Sequence, residues 1–282
     1  MWGPVDLLVA ASRAQLRLAG CTPRKIDGPR GPLTVYEGGD GHQDEAVVLL
    51  HGMGHQAGTW APVIRSLVDQ HRVLVPDLPG HGKSAPQDGP LGLADELEGL
   101  GALLDDPRAP RRVTLVGNSM GGWVALLYAR AHPERVQRVI SENGGGLAFE
   151  LHGVTLTPET PEEMKKTLQA IGSPVPGGWF LRDLVRSIQE GPAPRLLAGD
   201  DSALLLDGRL DEVTVPVDLV WGVDDEILPL EYAERLAQGL PDARLHRLED
   251  CGHIPHQQCP GPFVEILLSL LDGVPTSRET SP

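Results

Sequence analysis

The chain has 282 residues, of which 40% are hydrophobic and 22% are charged, and its formal net charge at pH 7 is −15. This length and composition predict one large soluble domain with a substantial hydrophobic core, and they exclude disorder on a large scale. The acidic balance would repel phosphate backbones and anionic membrane surfaces, so nucleic acid is excluded as a class of partner.

Residues 1–22 predict an amphipathic helix at the N-terminus. Apolar residues recur between positions 5 and 18 and are interrupted by Asp6, Arg13 and Arg17. No basic stretch precedes a continuous apolar segment, which argues against a signal peptide, and no segment is long enough to span a bilayer. We expect this helix to pack on the domain, with weak contact to a lipid surface as the alternative.

Short apolar runs predict the strands of a parallel sheet. They lie at 46–50, 72–76, 113–116, 135–140 and 217–221, and two earlier extended segments, 24–27 and 33–37, predict an antiparallel edge. Each run is apolar almost throughout, as expected for strands that helices cover on both faces. Helical spacing at 60–70, 91–104, 120–131, 232–238 and 263–271 completes the pattern of a doubly wound α/β fold.

The alternation of strands and helices stops in the middle of the chain. Residues 144–210 form a stretch of short helical patterns punctuated by Pro and Gly, which predicts an inserted helical cap. Thr160, Pro161 and Glu163 predict a capped helix start, and 179–189 predicts a second amphipathic helix. The predicted units are the N-terminal helix (1–22), the core (23–143 and 211–272), the cap (144–210) and a flexible tail (273–282).

Three cysteines, Cys21, Cys251 and Cys259, are too few for a disulfide framework or a tetrahedral metal site. A bridge between Cys251 and Cys259 is one alternative, but simple packing is favoured. A reducing cytoplasm is therefore the predicted location.

The strongest motif is a G-x-S-x-G sequence built from Gly117, Asn118, Ser119, Met120 and Gly121. It follows a predicted strand directly and precedes a predicted helix directly. Such a tight turn needs residues without a Cβ at its flanks, and it presents the serine hydroxyl at the N-terminus of the helix, where backbone donors favour negative charge. Ser119 is therefore the predicted nucleophile.

A serine hydroxyl needs a neighbouring base to take its proton. His253 has the best setting of the ten histidines, because it lies in a loop bounded by Gly252 and Pro255 after the run 243–248 and before the last helix. We predict His253 as general base, with His256 as the fallback.

An acid that orients the base should lie between the serine and the histidine in the chain. Asp224 and Asp225 follow a predicted strand, and spacing alone does not separate them; Glu142 is a remoter candidate. The segment 51–54 follows the strand 46–50 and predicts an oxyanion-hole loop, in which the backbone N–H groups of Met53 and Met120 face the oxyanion and both side chains line the pocket.

These segments together resemble the α/β-hydrolase superfamily over nearly the whole chain apart from the cap. The family's oxyanion segment corresponds to 51–54, its structural turn to 77–84, its nucleophile elbow to 117–121, and its acid and histidine loops to 221–229 and 252–255. In the family the acid lies four residues after a tryptophan, which here is Trp221, so the resemblance favours Asp225 over Asp224.

Within the superfamily the chain looks most like capped esterases and monoacylglycerol lipases, and like carbon–carbon bond hydrolases of aromatic catabolism. The carbon–carbon hydrolases usually have a tryptophan immediately after the histidine, where this chain has Ile254, and this departure favours the ester reading. Gln258 replaces a glutamate common in the family, which predicts a weaker structural contact. A serine at the elbow, instead of an aspartate, argues against haloalkane dehalogenases and epoxide hydrolases.

The resulting prediction is a serine hydrolase that cleaves carboxylic esters through an acyl-enzyme on Ser119, without a metal or organic cofactor. Its partner would be a small-molecule ester with an apolar acyl or alcohol group, and Trp179 and Phe180 of the cap suggest an apolar pocket. Carbon–carbon bond hydrolysis of a vinylogous diketone is the alternative reaction, and a non-catalytic binding protein on the same fold is the alternative of another class.

Overall fold

The computed structural model describes residues 3–39 and 44–273. Apart from Gly273, the predicted tail lies outside the described residues, as do Met1 and Trp2 of the predicted N-terminal helix. Within the described ranges no helix combines the length and the apolar character needed to cross a membrane.

Eight strands form a single sheet in the described part of the chain. They are β1 (Thr22–Gly28), β2 (Gly31–Gly38), β3 (Glu45–Leu50), β4 (Val73–Asp77), β5 (Arg112–Asn118), β6 (Val136–Glu142), β7 (Val217–Gly222) and β8 (Ala243–Leu248). Their order across the sheet is β1-β2-β4-β3-β5-β6-β7-β8. The strands β3 to β8 run parallel, and β1 and β2 form the antiparallel edge that the sequence predicted.

The main helices alternate with the strands. They are α1 (Pro4–Leu18), α2 (Ala61–Val68), α3 (Leu93–Asp105), α4 (Met120–Ala131), α5 (Pro161–Ala170), α6 (Gly178–Gln189), α7 (Ala193–Leu197), α8 (Leu230–Gly239), α9 (Pro255–Gln258) and α10 (Pro260–Leu271). This alternation confirms the predicted doubly wound α/β architecture, with the connections that parallel strands require.

Both faces of the sheet are covered, as the apolar runs predicted. In β3, Val48 and Leu50 belong to a cluster that contains α3, α4 and α8, whereas Val47 and Leu49 belong to a second cluster that contains α1, α2 and α10. Successive side chains of a strand point to opposite faces, so a strand buried on both faces must be apolar at every position. Because β3, β5, β6 and β7 run parallel, their carboxyl ends share one edge of this buried sheet.

Helices α5, α6 and α7 lie between β6 and β7, and α5 begins where the sequence predicted. Thr160 Oγ1 accepts a hydrogen bond from the backbone N–H of Glu163 at 3.2 Å, and the Glu163 carboxylate accepts one from the backbone N–H of Thr160 at 3.3 Å. These two bonds satisfy backbone donors that the first turn of a helix leaves without partners.

The N-terminal helix α1 packs against α6. The Asp183 carboxylate of α6 accepts a hydrogen bond from the backbone N–H of Val5 at 2.8 Å, and Arg186 pairs with Asp6 at 3.0 Å. A negative charge near the start of a helix is favourable because the N-terminal backbone N–H groups carry partial positive charge. Helix α1 is thus tied to the segment between β6 and β7 by polar contacts at its first turn.

The cysteines depart from the sequence prediction. Cys251 and Cys259 form a disulfide with a Cα–Cα distance of 6.0 Å, while Cys21 is free and buried. The preference for simple packing was wrong, because the turn through α9 brings together two residues eight positions apart. The predicted cytoplasmic location loses the support it drew from the cysteines, since disulfides are rare in reducing compartments.

Candidate active site

Ser119 lies at the turn between β5 and α4 in a strained backbone conformation. Its φ is 54° and its ψ is −116°, a region that residues other than glycine rarely adopt. The Ser119 backbone N–H donates to the carbonyl of Glu142 at 3.0 Å, and its carbonyl accepts from the N–H groups of Gly122 at 3.0 Å and Gly145 at 3.0 Å. The surrounding backbone therefore holds the strained turn in place.

The glycines of the motif are required by close backbone contacts. A Cβ built on Gly117 would lie 2.3 Å from the carbonyl carbon of Gly121, and one on Gly121 would lie 2.3 Å from the carbonyl oxygen of Leu50. A Cβ on Gly122 would lie 2.7 Å from the Cα of Gly144. Real Cβ atoms do not approach backbone atoms so closely, so any side chain at these positions would force the turn apart.

His253 and Asp225 are brought together by the loops that follow β8 and β7. His253 Nδ1 lies 2.7 Å from Asp225 Oδ2, and both residues are buried. A carboxylate can only accept, so Nδ1 carries the proton of the neutral ring and Nε2 is left as an acceptor. Ser119 and His253 line the same cavity. The neutral imidazole thus has the tautomer that a general base for a serine hydroxyl requires.

Both oxygens of the buried Asp225 carboxylate accept hydrogen bonds. Oδ1 accepts from the backbone N–H groups of Ile227 at 2.8 Å and Leu228 at 3.1 Å. Oδ2 accepts from His253 and also from Asn143 Nδ2 at 2.7 Å. These hydrogen bonds compensate for taking the charge out of water. Sequence reasoning missed Asn143, and no local motif marks it.

The alternative acids and the alternative base lie elsewhere. Asp224 is exposed, whereas Asp225 is against His253. His256 is fully buried and stacks on Trp60, and both carboxylate oxygens of Glu142 lie within 2.9 Å of its Nδ1. Glu142 and His256 therefore form a pair of their own, apart from Asp225 and His253.

Two buried histidines form hydrogen bonds that hold the predicted oxyanion segment in place. His51 Nε2 accepts from the backbone N–H of Leu78 at 3.0 Å, and His81 Nε2 accepts from that of Gly54 at 3.2 Å. Burial lowers the pKa of His51 and lowers the pKa of His81 well below its ordinary value. Both rings are therefore neutral, which lets each Nε2 accept a hydrogen bond at the loop.

Met53 and Met120 both line the cavity beside Ser119. Met120 is the first residue of α4, and the N–H groups in the first turn of a helix have no partner within the helix. Met53 lies between Gly52, whose carbonyl accepts from His55 N–H at 3.1 Å, and Gly54. Both residues thus lie at the wall of the cavity beside Ser119, and the oxyanion-hole role of their backbone N–H groups stays a prediction.

The cavity has a volume of about 750 Å³ and is mainly apolar. Its walls include Val9 from α1 and Leu168, Leu184 and Ile188 from α5 and α6. Trp179 and Phe180, which suggested the pocket in the sequence, are not among its lining residues; other residues of the same helix are. Across residues 3–39 and 44–273, no lysine or arginine lines the cavity, and Asp201 is the only lining carboxylate.

A cation-binding cluster would need several ligand side chains in one place. Within the described ranges, no group of three or more His, Cys, Asp or Glu side chains could hold a metal ion.

Gln258 forms three hydrogen bonds near His253. Its Oε1 accepts from the backbone N–H of Ile254 at 3.0 Å, and its Nε2 donates to the carbonyl of Ile171 at 2.6 Å and to Ser173 Oγ at 3.0 Å. An amide can donate to a carbonyl and a carboxylate cannot. These hydrogen bonds do not compare glutamine with the family's glutamate, so the weaker contact stays a prediction. Gln258 joins the loop of His253 to the end of α5.

Comparisons with known proteins place this geometry in context. A 2-hydroxy-6-oxo-6-phenylhexa-2,4-dienoate hydrolase from Burkholderia cepacia is 31% identical over 265 residues, with 82% of this chain and 89% of the relative covered. The structure of a membrane phospholipase A, a bacterial virulence factor, matches with a TM-score of 0.82 and 25% identity, over 96% of this chain and 92% of that chain.

A naproxen esterase from Bacillus subtilis shares the fold, with a TM-score of 0.77 and 18% identity over 96% of this chain and 99% of that chain. The model of the alpha/beta hydrolase family matches residues 47–266, which include β4 to β8, most of β3, and Ser119, Asp225 and His253. The chain therefore belongs to the alpha/beta hydrolase family and is a hydrolase.

Proposed function

We propose that this hydrolase cleaves neutral carboxylic esters through an acyl-enzyme on Ser119. The observation that carries the proposal is the strained serine at a helix N-terminus, in a cavity that it shares with a histidine whose Nδ1 is bound to a buried aspartate. This set of groups supplies a nucleophile, a base and an orienting acid without any further component.

In the first half-reaction, His253 Nε2 takes the proton of the Ser119 hydroxyl while the serine oxygen attacks the ester carbonyl. Asp225 holds the imidazole in the required tautomer and stabilises the imidazolium. The imidazolium then donates its proton to the leaving alkoxide, and the acyl group stays on Ser119. In the second half-reaction, water gives a proton to His253 and attacks the acyl carbonyl. The bond between the acyl carbon and the Ser119 oxygen then breaks, His253 returns the proton to that oxygen, and the carboxylic acid leaves.

In this proposal, the backbone N–H groups of Met53 and Met120 donate hydrogen bonds to the negatively charged oxygen of each tetrahedral intermediate. Each such donor is worth about 3 to 4 kcal/mol in the transition state. The neutral histidines His51 and His81 support this loop, because protonated rings would present N–H groups to the N–H donors of Leu78 and Gly54.

The charge of the cavity favours an ester over the carbon–carbon bond alternative. The relative from Burkholderia cepacia is named for a dienoate, a substrate that carries a carboxylate. A cationic side chain is the strongest partner for a buried carboxylate. Among the described residues no lysine or arginine lines the cavity, and Asp201 would repel an anion. The cavity therefore suits an uncharged substrate with an apolar acyl or alcohol group.

The test is hydrolysis of p-nitrophenyl esters of increasing acyl length by the wild-type protein, Ser119→Ala and Ser187→Ala. Ser187 lies on α6 and lines the same cavity, so it controls for the loss of a hydroxyl. We expect Ser119→Ala to reduce kcat by at least about 10⁴-fold and Ser187→Ala to stay active. The vinylogous diketone 2-hydroxy-6-oxo-6-phenylhexa-2,4-dienoate is assayed in parallel as a substrate for carbon–carbon bond hydrolysis.

Turnover of the dienoate without turnover of any ester would overturn the ester proposal in favour of carbon–carbon bond hydrolysis. Turnover of neither substrate would also overturn the ester proposal.

Weak contact with a lipid surface is a further part of the proposal. Leu8, Phe149 and Leu197 line the cavity and are also exposed, so they form an apolar rim at its mouth. Exposed apolar residues at the mouth favour entry of an ester from an aggregate. We expect the rate on a long-chain ester to rise when the ester forms micelles; an unchanged rate would exclude this contact.

A further inference from the structure

The end of strand β6 contacts the loops that carry Ser119 and His253. The backbone carbonyl of Glu142, the last residue of β6, accepts from the N–H of Ser119 at 3.0 Å and from Asn118 Nδ2 at 3.2 Å. The same Asn118 nitrogen donates to the carbonyl of His253 at 2.9 Å. The nucleophile and the base are therefore joined through the backbone of Glu142 and one amide side chain.

The Glu142 side chain makes a second connection to the histidine loop. Its carboxylate accepts from the backbone N–H of His256 at 2.6 Å and from His256 Nδ1 at 2.8 Å, and both residues are fully buried. His256 is held on its other side by Thr59 Oγ1 at 2.9 Å from Nε2 and by the ring of Trp60 at 4.0 Å. His256 lies in α9, three residues after His253, so Glu142 fixes the segment that follows the base.

The next residue, Asn143, contacts the acid. Its Nδ2 donates to Asp225 Oδ2 at 2.7 Å, the same oxygen that accepts from His253, and its Oδ1 accepts from the backbone N–H of Gly222 at 2.9 Å. Asn143 has a φ of 42°, in the left-handed region that asparagine tolerates better than most residues. This conformation directs the amide toward the loop after β7.

We propose that Glu142 and Asn143 are positioning residues that hold the nucleophile, the base and the acid in one frame at the end of β6. The two residues make direct contact with the loops of all three groups, and each loop follows a different strand. A central strand end is a rigid reference point because it is paired on both sides, here with β5 and β7. The inference rests on the proposed ester hydrolysis, since turnover is its main readout.

Two variants remove the contacts. Glu142→Ala leaves the N–H groups of His256 without their acceptor, and Asn143→Gly removes the donor to Asp225 at a φ that glycine adopts freely. Asn143→Gly also keeps the inference testable if Glu142→Ala does not fold.

Each variant has a matched control. Asp218 near the start of β7 is another buried carboxylate paired with a histidine, His246, at 2.8 Å, and it lies away from the carboxyl ends of the strands. Asp250 has a φ of 55° and is exposed. Asp218→Ala therefore removes a buried carboxylate from a histidine near the opposite end of the sheet, and Asp250→Gly replaces an exposed side chain at a positive φ in the loop before His253.

The measurement is kcat per active site, with the number of sites titrated by a fluorophosphonate, together with KM and Tm. A merely structural role lowers Tm and the number of sites but leaves each folded site as fast as before. We expect Glu142→Ala and Asn143→Gly to lower kcat per site by about 10- to 100-fold, because a displacement of about 1 Å has this effect, with KM within about twofold. The controls should stay within about twofold of the wild type in kcat.

Kcat per site within about twofold of the controls in both variants would overturn the inference. If the wild type turns over no ester, the proposed function fails first, and the second-order rate of fluorophosphonate labelling is compared instead. Labelling needs only the serine and its base, so a slower rate in the two variants alone would still support the positioning role, and equal rates would contradict it.

Discussion

The backbone conformation of Ser119 stores strain at the candidate nucleophile. A positive φ at a residue with a side chain costs about 1 to 3 kcal/mol and persists only where the surrounding structure over-determines it. Here the φ is 54°, and hydrogen bonds to Glu142, Gly122 and Gly145 hold the serine's own N–H and carbonyl. In this conformation Ser119 lies at the wall of the cavity.

Gly121→Ala tests whether this turn depends on close backbone approach. The new Cβ would lie 2.3 Å from the Leu50 carbonyl oxygen at the base of the oxyanion segment, so we expect a loss of about 1 to 3 kcal/mol in the free energy of unfolding and a fall in esterase kcat. Gly101→Ala in α3 is the control, because no atom lies within 4 Å of its Cβ. It should stabilise the protein by about 0.5 to 1 kcal/mol. Equal unfolding midpoints and rates for both variants would contradict the steric argument.

Sequence patterns predicted those residues of the candidate site that neighbouring residues in the chain mark. Ser119 is marked by flanking glycines, and His253 by a loop late in the chain, but the choice of Asp225 needed a family resemblance. Asn143 carries no signal, because its role depends on the pairing of β6 with β7. From the sequence, Glu142 is only a remoter candidate for the orienting acid, because its partner His256 is 114 residues away in the chain.

At the scale of elements, helix α1 forms part of the cavity wall. Val5, Leu8, Val9 and Ser12 line the cavity, at the spacing of one face of a helix. Periodicity predicted the amphipathic helix but not what it packs against, because that depends on the placement of α6. For the same reason the sequence predicted α5 from its capping box but not which residues of α6 face inward.

Val9→Phe tests whether α1 limits the length of the substrate. A larger side chain at a lining position removes cavity volume, so we expect the acyl length with the highest kcat/KM on p-nitrophenyl esters to become shorter. The matched control is Leu7→Phe, because Leu7 is exposed on the same helix and does not line the cavity. An identical length profile for Val9→Phe and the wild type would show that the acyl group does not reach α1.

At the scale of the whole molecule, buried titratable groups link the fold to pH. Burial lowers the pKa of His51 and His81, so the folded protein does not take up the protons that the unfolded chain binds below about pH 6.5. The unfolded state then binds more protons, and stability rises with pH. Their contribution is complete above the ordinary histidine pKa and is lost as the pH falls below it.

Glu96 on α3 acts in the opposite direction. It is fully buried, neither carboxylate oxygen has a hydrogen-bond partner in the described part of the chain, and His81 Nδ1 lies 3.6 Å away. Burial raises its pKa well above the ordinary value of 4.5. The folded protein therefore keeps a proton that the unfolded chain releases, so this group costs stability as the pH rises from 4.5 toward the raised pKa.

Glu96→Gln removes this cost while keeping the shape of the side chain, so the variant should match the wild type near pH 4 and become more stable at pH 8. The advantage should widen by up to about 1.4 kcal/mol per pH unit until the raised pKa is reached. Urea unfolding at the two pH values measures it. Glu98→Gln removes the same charge from an exposed position on the same helix and should change stability by less than about 0.5 kcal/mol at both. If the difference in stability between Glu96→Gln and the wild type is the same at pH 4 and pH 8, the pKa of Glu96 is the same in the folded and the unfolded chain. The buried acid then does not oppose the buried histidines in the pH dependence of stability.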